Sequence, residues 1–349
     1  MGVEILKTVF RKSNSGVWSI EAIKGLNLKA KRGFESNYFK IEPEVDVMTE
    51  NPSRIMDSFF TSFGTTDFFL RQSIVPIVAW NEGDDEIRCI GTGFFISASG
   101  LLMTAAHVIR DPVDEKYAEL TEISNNSAML GNNLHVCVML PANPAIKTAP
   151  FRIAKELGEA EYFLCPIVWT THWGKEVCGP LFHLPPEFKL DLDIAICKVR
   201  EFPAIGPYQP LNIGPHSLRV GDQAVAIGYP EMQNLRIGGK ERYRPELMVS
   251  VGTVTAIYPD NMTEKQNNTP GPNFEFSAKI PGKMSGSPIL VSGGVVTKGV
   301  VSRSLQGENH ASGGLIAPML QLPIFDGKSL TDLTNEGKEG IPQIYGSEL

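Results

Sequence analysis

The sequence predicts an all-β protein. In the second half of the chain, short apolar and β-branched runs recur at even spacing between turn residues, as in a closed barrel or a sandwich. The 33 glycines and 25 prolines among the 349 residues favour a turn-rich β protein over a helical bundle. The strands expected in this half are Gln223 to Ile227, Met248 to Ile257, Phe274 to Ile280, Ile289 to Val291, Val295 to Val301 and Gly314 to Ala317.

A β-rich pattern also begins near residue 72. Ser73 to Trp80 is expected to be a strand, and Ile87 to Ile96 pairs with Gly100 to Thr104 across a small-residue turn. The stretch from about 111 to 186 is long and contains polar turns and two strand-like runs, around 134–140 and 161–169. We expect it to carry an insertion.

Residues 1–71 form an N-terminal extension to which the sequence assigns no role. Val17 to Ile20 and Tyr38 to Ile41 resemble short strands. Apolar residues recur at helical spacing between Pro52 and Leu70, and Asn51 or Ser53 is a candidate N-cap for a helix there.

Composition and charge narrow the class of protein. The net charge of −7 does not indicate the excess of basic residues that binds nucleic acid, so we expect no nucleic-acid partner. No apolar run approaches about 18 residues, and the first residues lack the pattern of a secretory signal, so we expect no membrane span. The five cysteines are scattered and odd in number, and none closely follows His107. These features predict a reducing compartment, most simply the cytoplasm.

Three short motifs carry the chemistry, and they occur in a fixed order along the chain. The first is Thr-Ala-Ala-His ending at His107, the second is Asp-Ile-Ala-Ile starting at Asp193, and the third is Gly-Lys-Met-Ser-Gly-Ser-Pro around Ser285. A base, an orienting carboxylate and a hydroxyl nucleophile are the parts that acyl transfer to serine requires. Backbone amides of Lys283 and Ser285 are the expected donors to the oxyanion.

Each of these residues has an alternative reading. His107 could be a structural histidine at a strand end, and the Ser285 segment could be a Gly/Ser-rich turn in which Ser287 supplies a second hydroxyl. Asp191 competes with Asp193 for the carboxylate role. We favour Asp193 because it directly precedes the apolar Ile-Ala-Ile run, where an unpaired charge would be costly to bury.

Two cysteines and two histidines in the long middle stretch have the count of a zinc site. They are Cys165, His172, Cys178 and His183. Their spacings match no common zinc motif, and isolated residues of these types are often simply buried. We therefore expect neither a metal nor any other cofactor.

The chain resembles trypsin-like serine proteases of the chymotrypsin fold, and most closely the HtrA-type and other bacterial trypsin-like peptidases without a PDZ domain. The resemblance runs in order over about residues 72–320. Beyond the three motifs, it rests on the segments Gly91 to Ile96, Val220 to Pro230, Val251 to Ile257, Gly299 to Arg303 and Gly314 to Pro318.

The resemblance implies two six-stranded antiparallel barrels with the active site between them. The expected divisions are the extension 1–71, a first barrel 72–205 with the insertion at about 111–186, a second barrel 206–325 and a tail 326–349. It also implies that a peptide substrate docks as an added strand, with backbone contacts from Ser302. Lys279, Arg303 and His310 are candidates for favouring an acidic substrate side chain, although we favour the alternative that these side chains point to solvent.

The resemblance has one departure at the centre of the site. The family usually has glycine two residues before the serine, where this chain has Lys283. The sequence therefore predicts a serine endopeptidase that works through an acyl-enzyme on protein or peptide substrates, with a protein activator that sets the oxyanion loop. The alternative is a catalytically silent protein that uses the protease fold as a peptide-binding module or scaffold.

Overall fold

A computed structural model describes most of residues 71–332 and three strands nearer the N terminus. The described residues are 3–12, 18–28, 38–41, 71–81, 83–84, 86–110, 122–124, 127–129, 134–142, 161–177, 187–200, 208–214, 216, 218–230, 235–236, 247–259, 268–291, 296–305, 309–325 and 327–332. The helix expected between Pro52 and Leu70 lies outside them. None of the helices in these ranges has the length and hydrophobicity that crossing a bilayer requires.

Strands dominate the first half of the described chain. The elements in order are β1 (Val3–Lys12), β2 (Trp18–Leu28), β3 (Tyr38–Ile41), β4 (Ile74–Asn81), β5 (Glu86–Phe95), β6 (Leu101–Thr104), helix α1 (Ala106–Arg110), β7 (Glu122–Ser124), β8 (Ser127–Met129), β9 (Leu134–Ala142), β10 (Glu161–Val177) and β11 (Glu187–Val199). The short strand expected around Val17 to Ile20 is the beginning of β2, which pairs with β1 in a two-stranded antiparallel sheet.

Six of these strands close into the first barrel. Their order is β11-β6-β5-β4-β9-β10, and β10 pairs back onto β11. The strand-like runs expected around 134–140 and 161–169 are therefore barrel strands, β9 and β10. The β7–β8 hairpin pairs with β10 as an addition to the ring.

The second half forms another barrel. Its elements are β12 (Asn212–Ile213), β13 (Gln223–Gly228), β14 (Leu235–Arg236), β15 (Leu247–Tyr258), β16 (Asn273–Phe276), β17 (Pro288–Val291), β18 (Val296–Ser304), β19 (Ala311–Leu315), a 3₁₀ helix (Ala317–Gln321), β20 (Pro323–Phe325) and β21 (Lys328–Ser329). The ring order is β18-β17-β13-β15-β16-β19, closed by pairing of β18 with β19. The predicted double barrel is confirmed.

Two strand ends differ from the sequence prediction. The strand expected over Phe274 to Ile280 ends at Phe276, because the chain then turns and the Ala278 N–H bonds back to the Phe276 carbonyl, 3.1 Å away. The strand expected over Gly314 to Ala317 lies earlier, at Ala311–Leu315, where it pairs with both β16 and β18. Pro318 follows in the first turn of the 3₁₀ helix, a position that its ring tolerates.

The largest hydrophobic cluster of the described residues spans both barrels. It contains Phe94 and Phe95 from the first barrel and Ile227 and Val300 from the second, all completely buried. The alternating burial along the strands follows from their period of two, with one face turned into a barrel. Apolar side chains of the two barrels therefore pack against one another where the barrels meet.

Candidate active site

The base of the candidate site is set at the end of the first barrel. His107 is the second residue of α1, directly after β6, and β6 pairs with β11 so that Thr104 lies opposite Ala195. This register brings Asp193 beside the start of the helix. The His107 backbone N–H donates to Asp193 Oδ1 at 3.0 Å, and the ring Nδ1 lies 2.8 Å from Oδ2.

These contacts determine the proton arrangement on His107. A carboxylate can only accept, so the proton of the neutral ring must lie on Nδ1 and leave Nε2 as the basic nitrogen. The His107 side chain is 27% exposed and Asp193 is not exposed at all. A general base needs this combination of an accessible ring and a buried, fixed orienting group.

Asp193 is fully buried and charged. Burial by itself would raise the pKa of Asp193, but the charge of His107 and the hydrogen bonds from His107 and Ser302 hold it well below its usual range. Its competitor Asp191 is exposed. The geometry therefore supports the choice of Asp193 over Asp191.

The hydroxyl of Ser302 is a contact that the sequence did not indicate. Ser302 was expected to offer only its backbone to a peptide, but its fully buried side chain donates to Asp193 Oδ2. This bond comes from the second barrel and crosses to the carboxylate of the first. No local signal could reveal it, because the two residues are 109 positions apart and meet only when the barrels dock.

Ser285 lies in a tight turn before β17. The Ser287 N–H bonds the Met284 carbonyl at 3.1 Å, and the Gly286 N–H bonds the Val301 carbonyl at 2.8 Å. Gly286 has a φ of +87°, and a Cβ there would overlap the Thr92 carbonyl oxygen, so only glycine fits. This turn presents the Ser285 side chain toward β18.

The Ser285 hydroxyl donates to the backbone carbonyl of Ser302 at 2.7 Å. Ser302 thus contacts two of the three predicted residues, with its hydroxyl on Asp193 and its carbonyl on Ser285. A serine hydroxyl has one hydrogen, and in this arrangement the Ser302 carbonyl accepts it. Proton transfer to His107 would require the Ser285 side chain to rotate away from that carbonyl.

Lys283 has the backbone conformation that glycine usually provides. Its φ is +69°, and it lies in a turn closed by the Met284 N–H and the Pro281 carbonyl at 3.4 Å. Its side chain is exposed. The lysine therefore holds a left-handed backbone, which non-glycine residues disfavour.

The three candidates for substrate recognition have different surroundings. His310 Nε2 lies 2.9 Å from Glu275 Oε2, so this ring is already paired with a carboxylate of the protein. Lys279 is half-buried, and its carbonyl accepts the Ser250 hydroxyl at 2.5 Å. Arg303 is half-buried on β18, with a buried Nε that has no hydrogen-bond partner among the residues that the structure describes. Of the three, Arg303 lies next to Ser302 in the chain.

The candidate zinc residues fall only partly within the described chain. Cys165 and His172 are buried on β10, whereas Cys178 and His183 lie outside the described residues. Across the described ranges, no group of three or more histidine, cysteine, aspartate or glutamate side chains is arranged to hold a metal. The described cysteines Cys89, Cys137, Cys165 and Cys197 are buried, and none of them forms a disulfide with another described cysteine.

Two closed antiparallel barrels with these residues at their junction define a chymotrypsin-like double barrel. A family model described as a trypsin-like peptidase domain matches residues 91–297, more than half of the chain. The chain therefore belongs to the trypsin-like peptidase family and is a serine protease.

The chain is also similar to two solved structures. The chain is 20% identical to Deg5, with a TM-score of 0.39, over 70% of this chain and 85% of Deg5. It is 17% identical to the active form of the Rv3671c protease from M. tuberculosis, with a TM-score of 0.36, over 79% of this chain and 85% of that one. No curated protein matches the sequence.

Proposed function

We propose that the protein hydrolyses peptide bonds through an acyl-enzyme on Ser285, with His107 as base and then acid and Asp193 as the orienting carboxylate. The observation that carries this proposal is the buried Asp193 carboxylate, which accepts both the backbone and the ring N–H of His107. A buried carboxylate of this kind is weak evidence for stability by itself, but its hydrogen bond aligns the imidazole for proton transfer.

The reaction then follows from the residue types. Ser285 Oγ attacks the peptide carbonyl as His107 Nε2 takes its proton, and the amides of Lys283 and Ser285 donate to the oxyanion. His107 gives the proton to the leaving amine. A water molecule then attacks the acyl-enzyme, with His107 again as the base, and releases the carboxylic acid product. No metal or cofactor is required for these steps.

Substrate binding prepares the nucleophile in this scheme. A peptide that adds as a strand beside β18 offers a backbone N–H to the Ser302 carbonyl, the same oxygen that now accepts the Ser285 hydroxyl. The peptide thereby displaces the hydroxyl, which turns toward His107. Attack is coupled to correct docking of the substrate main chain.

Labelling with a fluorophosphonate probe tests the nucleophile. The wild-type protein should label, and Ser285→Ala and His107→Ala should not. Ser287→Ala is the matched control, because it removes a buried hydroxyl two residues away and should still label. Equal labelling of the wild type and Ser285→Ala would reject the proposal. Peptide binding without cleavage, unchanged by Ser285→Ala, would favour the silent peptide-binding alternative.

We also propose that a partner regulates the site through the N-terminal extension. β3 from this extension pairs with β15 so that Tyr38 lies opposite Ser250. The Ser250 hydroxyl in turn holds the Lys279 carbonyl, six residues before Ser285. A partner that separates β3 from β15, or allows it to pair again, would act on the Lys279 to Ser285 segment through the Ser250–Lys279 hydrogen bond.

A proline in β3 tests this regulation in the full-length chain. Phe39 lies opposite Val249, so Phe39→Pro should weaken the pairing, whereas Phe39→Val should keep it. A change in fluorophosphonate labelling rate for Phe39→Pro alone would support the proposal. Identical rates for the wild type and both variants would reject it.

A further inference from the structure

Thr92 of β5 reaches from the first barrel into the nucleophile loop of the second. Its side chain is completely buried. Its backbone N–H donates to the Ser285 carbonyl at 2.9 Å, and its hydroxyl lies 3.2 Å from the Lys283 carbonyl. One residue therefore holds the carbonyls on both sides of Met284.

The surroundings of Thr92 orient its hydroxyl toward Lys283. The Tyr229 N–H donates to this hydroxyl at 3.0 Å, so the hydroxyl oxygen already accepts one bond. Its own hydrogen has two carbonyl acceptors, Lys283 at 3.2 Å and Tyr229 at 3.5 Å, and Lys283 is the nearer. The Thr92 carbonyl accepts the Thr104 hydroxyl at 2.7 Å, which fixes the strand behind it.

Holding these carbonyls constrains the two amides proposed to donate to the oxyanion. The Lys283 carbonyl belongs to the peptide between residues 283 and 284, and the Ser285 carbonyl belongs to the peptide between residues 285 and 286. Once both are held, the direction of the Lys283 N–H depends on the φ and ψ of that single residue. The buried Met284 side chain between them restricts the loop further.

Lys283 needs such support because of its conformation. Its φ of +69° is unfavourable for a residue with a Cβ. Backbone strain of this kind persists only when surrounding contacts enforce it. The Thr92 hydroxyl is such a contact, since it bonds the carbonyl of the strained residue itself.

We propose that Thr92 is a positioning residue, whose hydroxyl keeps Lys283 in the left-handed conformation from which its amide donates to the oxyanion. The proposal rests on the mechanism given above. Both features of threonine are used: the hydroxyl bonds the loop, and the methyl fills buried space at the barrel junction. Valine would keep the shape without the bond, and serine would keep the bond without the methyl.

The test measures the inactivation rate constant kinact and the inhibition constant KI for a fluorophosphonate probe on the full-length protein. Thr92→Val should lower kinact about tenfold with KI nearly unchanged, the effect expected for one buried hydrogen bond. Thr92→Ser should stay within about threefold of the wild type. Thr171→Val is the control, since it removes a buried hydroxyl that donates to the Ile324 carbonyl at 2.7 Å.

A double-mutant cycle with Lys283→Gly identifies the route of the effect. Glycine adopts a positive φ without penalty, so the loop then needs the hydroxyl less. In the Lys283→Gly background, Thr92→Val should lower kinact by less than about threefold. If Thr92→Val does not fold, Thr92→Ala replaces it in the cycle, because it also lacks the hydroxyl and adds no bulk.

Three outcomes would overturn the inference. They are unchanged kinact in Thr92→Val, an equal loss in Thr171→Val, and the same loss from Thr92→Val in both Lys283 backgrounds. Failure of the mechanism itself would look different, because the wild type would then label no faster than Ser285→Ala. The wild-type and Ser285→Ala measurements thus separate the two proposals.

Discussion

On the first-barrel side of the cleft, the position of His107 is set by a buried charge. Asp193 is fully buried, and every rearrangement that removed His107 or Ser302 would leave its carboxylate short of donors. On the second-barrel side, Ser285 and Lys283 lie in a turn in which Lys283 has an unfavourable φ. Individual hydrogen bonds hold them, from the Ser285 hydroxyl to Ser302 and from the Thr92 hydroxyl to the Lys283 carbonyl.

The difference concerns how much energy holds each side in place. Leaving a buried carboxylate unpaired costs several kcal/mol. For a non-glycine residue, the left-handed conformation is only about 1–2 kcal/mol less favourable than the right-handed one. We therefore expect the base to stay fixed in all states, while the nucleophile loop responds to substrate, partner or mutation.

The largest effect should come from a substitution on the first-barrel side, at the carboxylate that orients His107. Asp193→Asn removes the charge and replaces an acceptor with a group that can also donate, so the wrong histidine tautomer is favoured. We expect kcat on a peptide substrate to fall by about 10⁴-fold with the fold preserved.

Asp191→Asn is the control for this prediction. Asp191 is exposed two residues earlier, so its substitution should leave kcat within about twofold of the wild type. Comparable losses in the two variants would show that the carboxylate role is not specific to Asp193.

On the second-barrel side, Lys283→Pro should cause the largest loss of labelling rate. Proline fixes φ near −65°, opposite in sign to the observed +69°, and removes the amide that is proposed to donate to the oxyanion. We expect the fluorophosphonate labelling rate to fall about 10²- to 10³-fold. Lys283→Asn, which tolerates a left-handed backbone, should keep most of the rate. Wild-type labelling by Lys283→Pro would exclude this amide from the mechanism.

The sequence predicted the parts of this molecule that depend on local pattern. Alternation and turn residues located the barrel strands, such as Gln223–Gly228, and small residues before His107 marked the end of the strand that precedes it. The choice between Asp191 and Asp193 was harder, because strict alternation puts both on one face. Pairing of β10 with β11 is irregular around Trp173 and Leu192, which changes the face presented by the strand just before Asp193.

Contacts across the barrels could not be predicted in this way. The Ser302 hydroxyl on Asp193 and the Thr92 hydroxyl on the Lys283 carbonyl join residues 109 and 191 positions apart. Neither residue has a spacing or composition that distinguishes it from other buried hydroxyls. Their roles follow only from the docking of two barrels whose strands were each predicted separately.

Acid should also destabilise the first-barrel side, because it contains a fully buried imidazole, that of His172. His172 on β10 contacts Arg110 at the end of α1, and burial together with the Arg110 charge lowers the pKa of His172 to about 4. The unfolded chain takes up this proton near pH 6.5, so it binds more protons than the folded chain between these values. The free energy of unfolding should therefore decrease by up to about 3 kcal/mol as pH falls from 6.5 to 4.

Urea unfolding at several pH values measures this dependence. His172→Gln should flatten the slope between pH 6.5 and 4, and His135→Gln, at an exposed position, should leave it as in the wild type. An unchanged slope in His172→Gln would mean that other groups govern the acid sensitivity.

The smallest effect concerns the strain at Lys283. In Lys283→Gly, relief of the left-handed backbone is worth about 1–2 kcal/mol, and the greater freedom of glycine in the unfolded chain offsets about 0.5–1 kcal/mol. The free energy of unfolding should therefore rise by about 0.5–1 kcal/mol. Asn268 supplies a matched comparison, because it is exposed and has a φ of +55°. Asparagine tolerates this conformation, so Asn268→Gly should gain less or lose stability. Equal changes in the two variants would mean that Lys283 stores no strain, and the nucleophile side would then be as firmly set as the base.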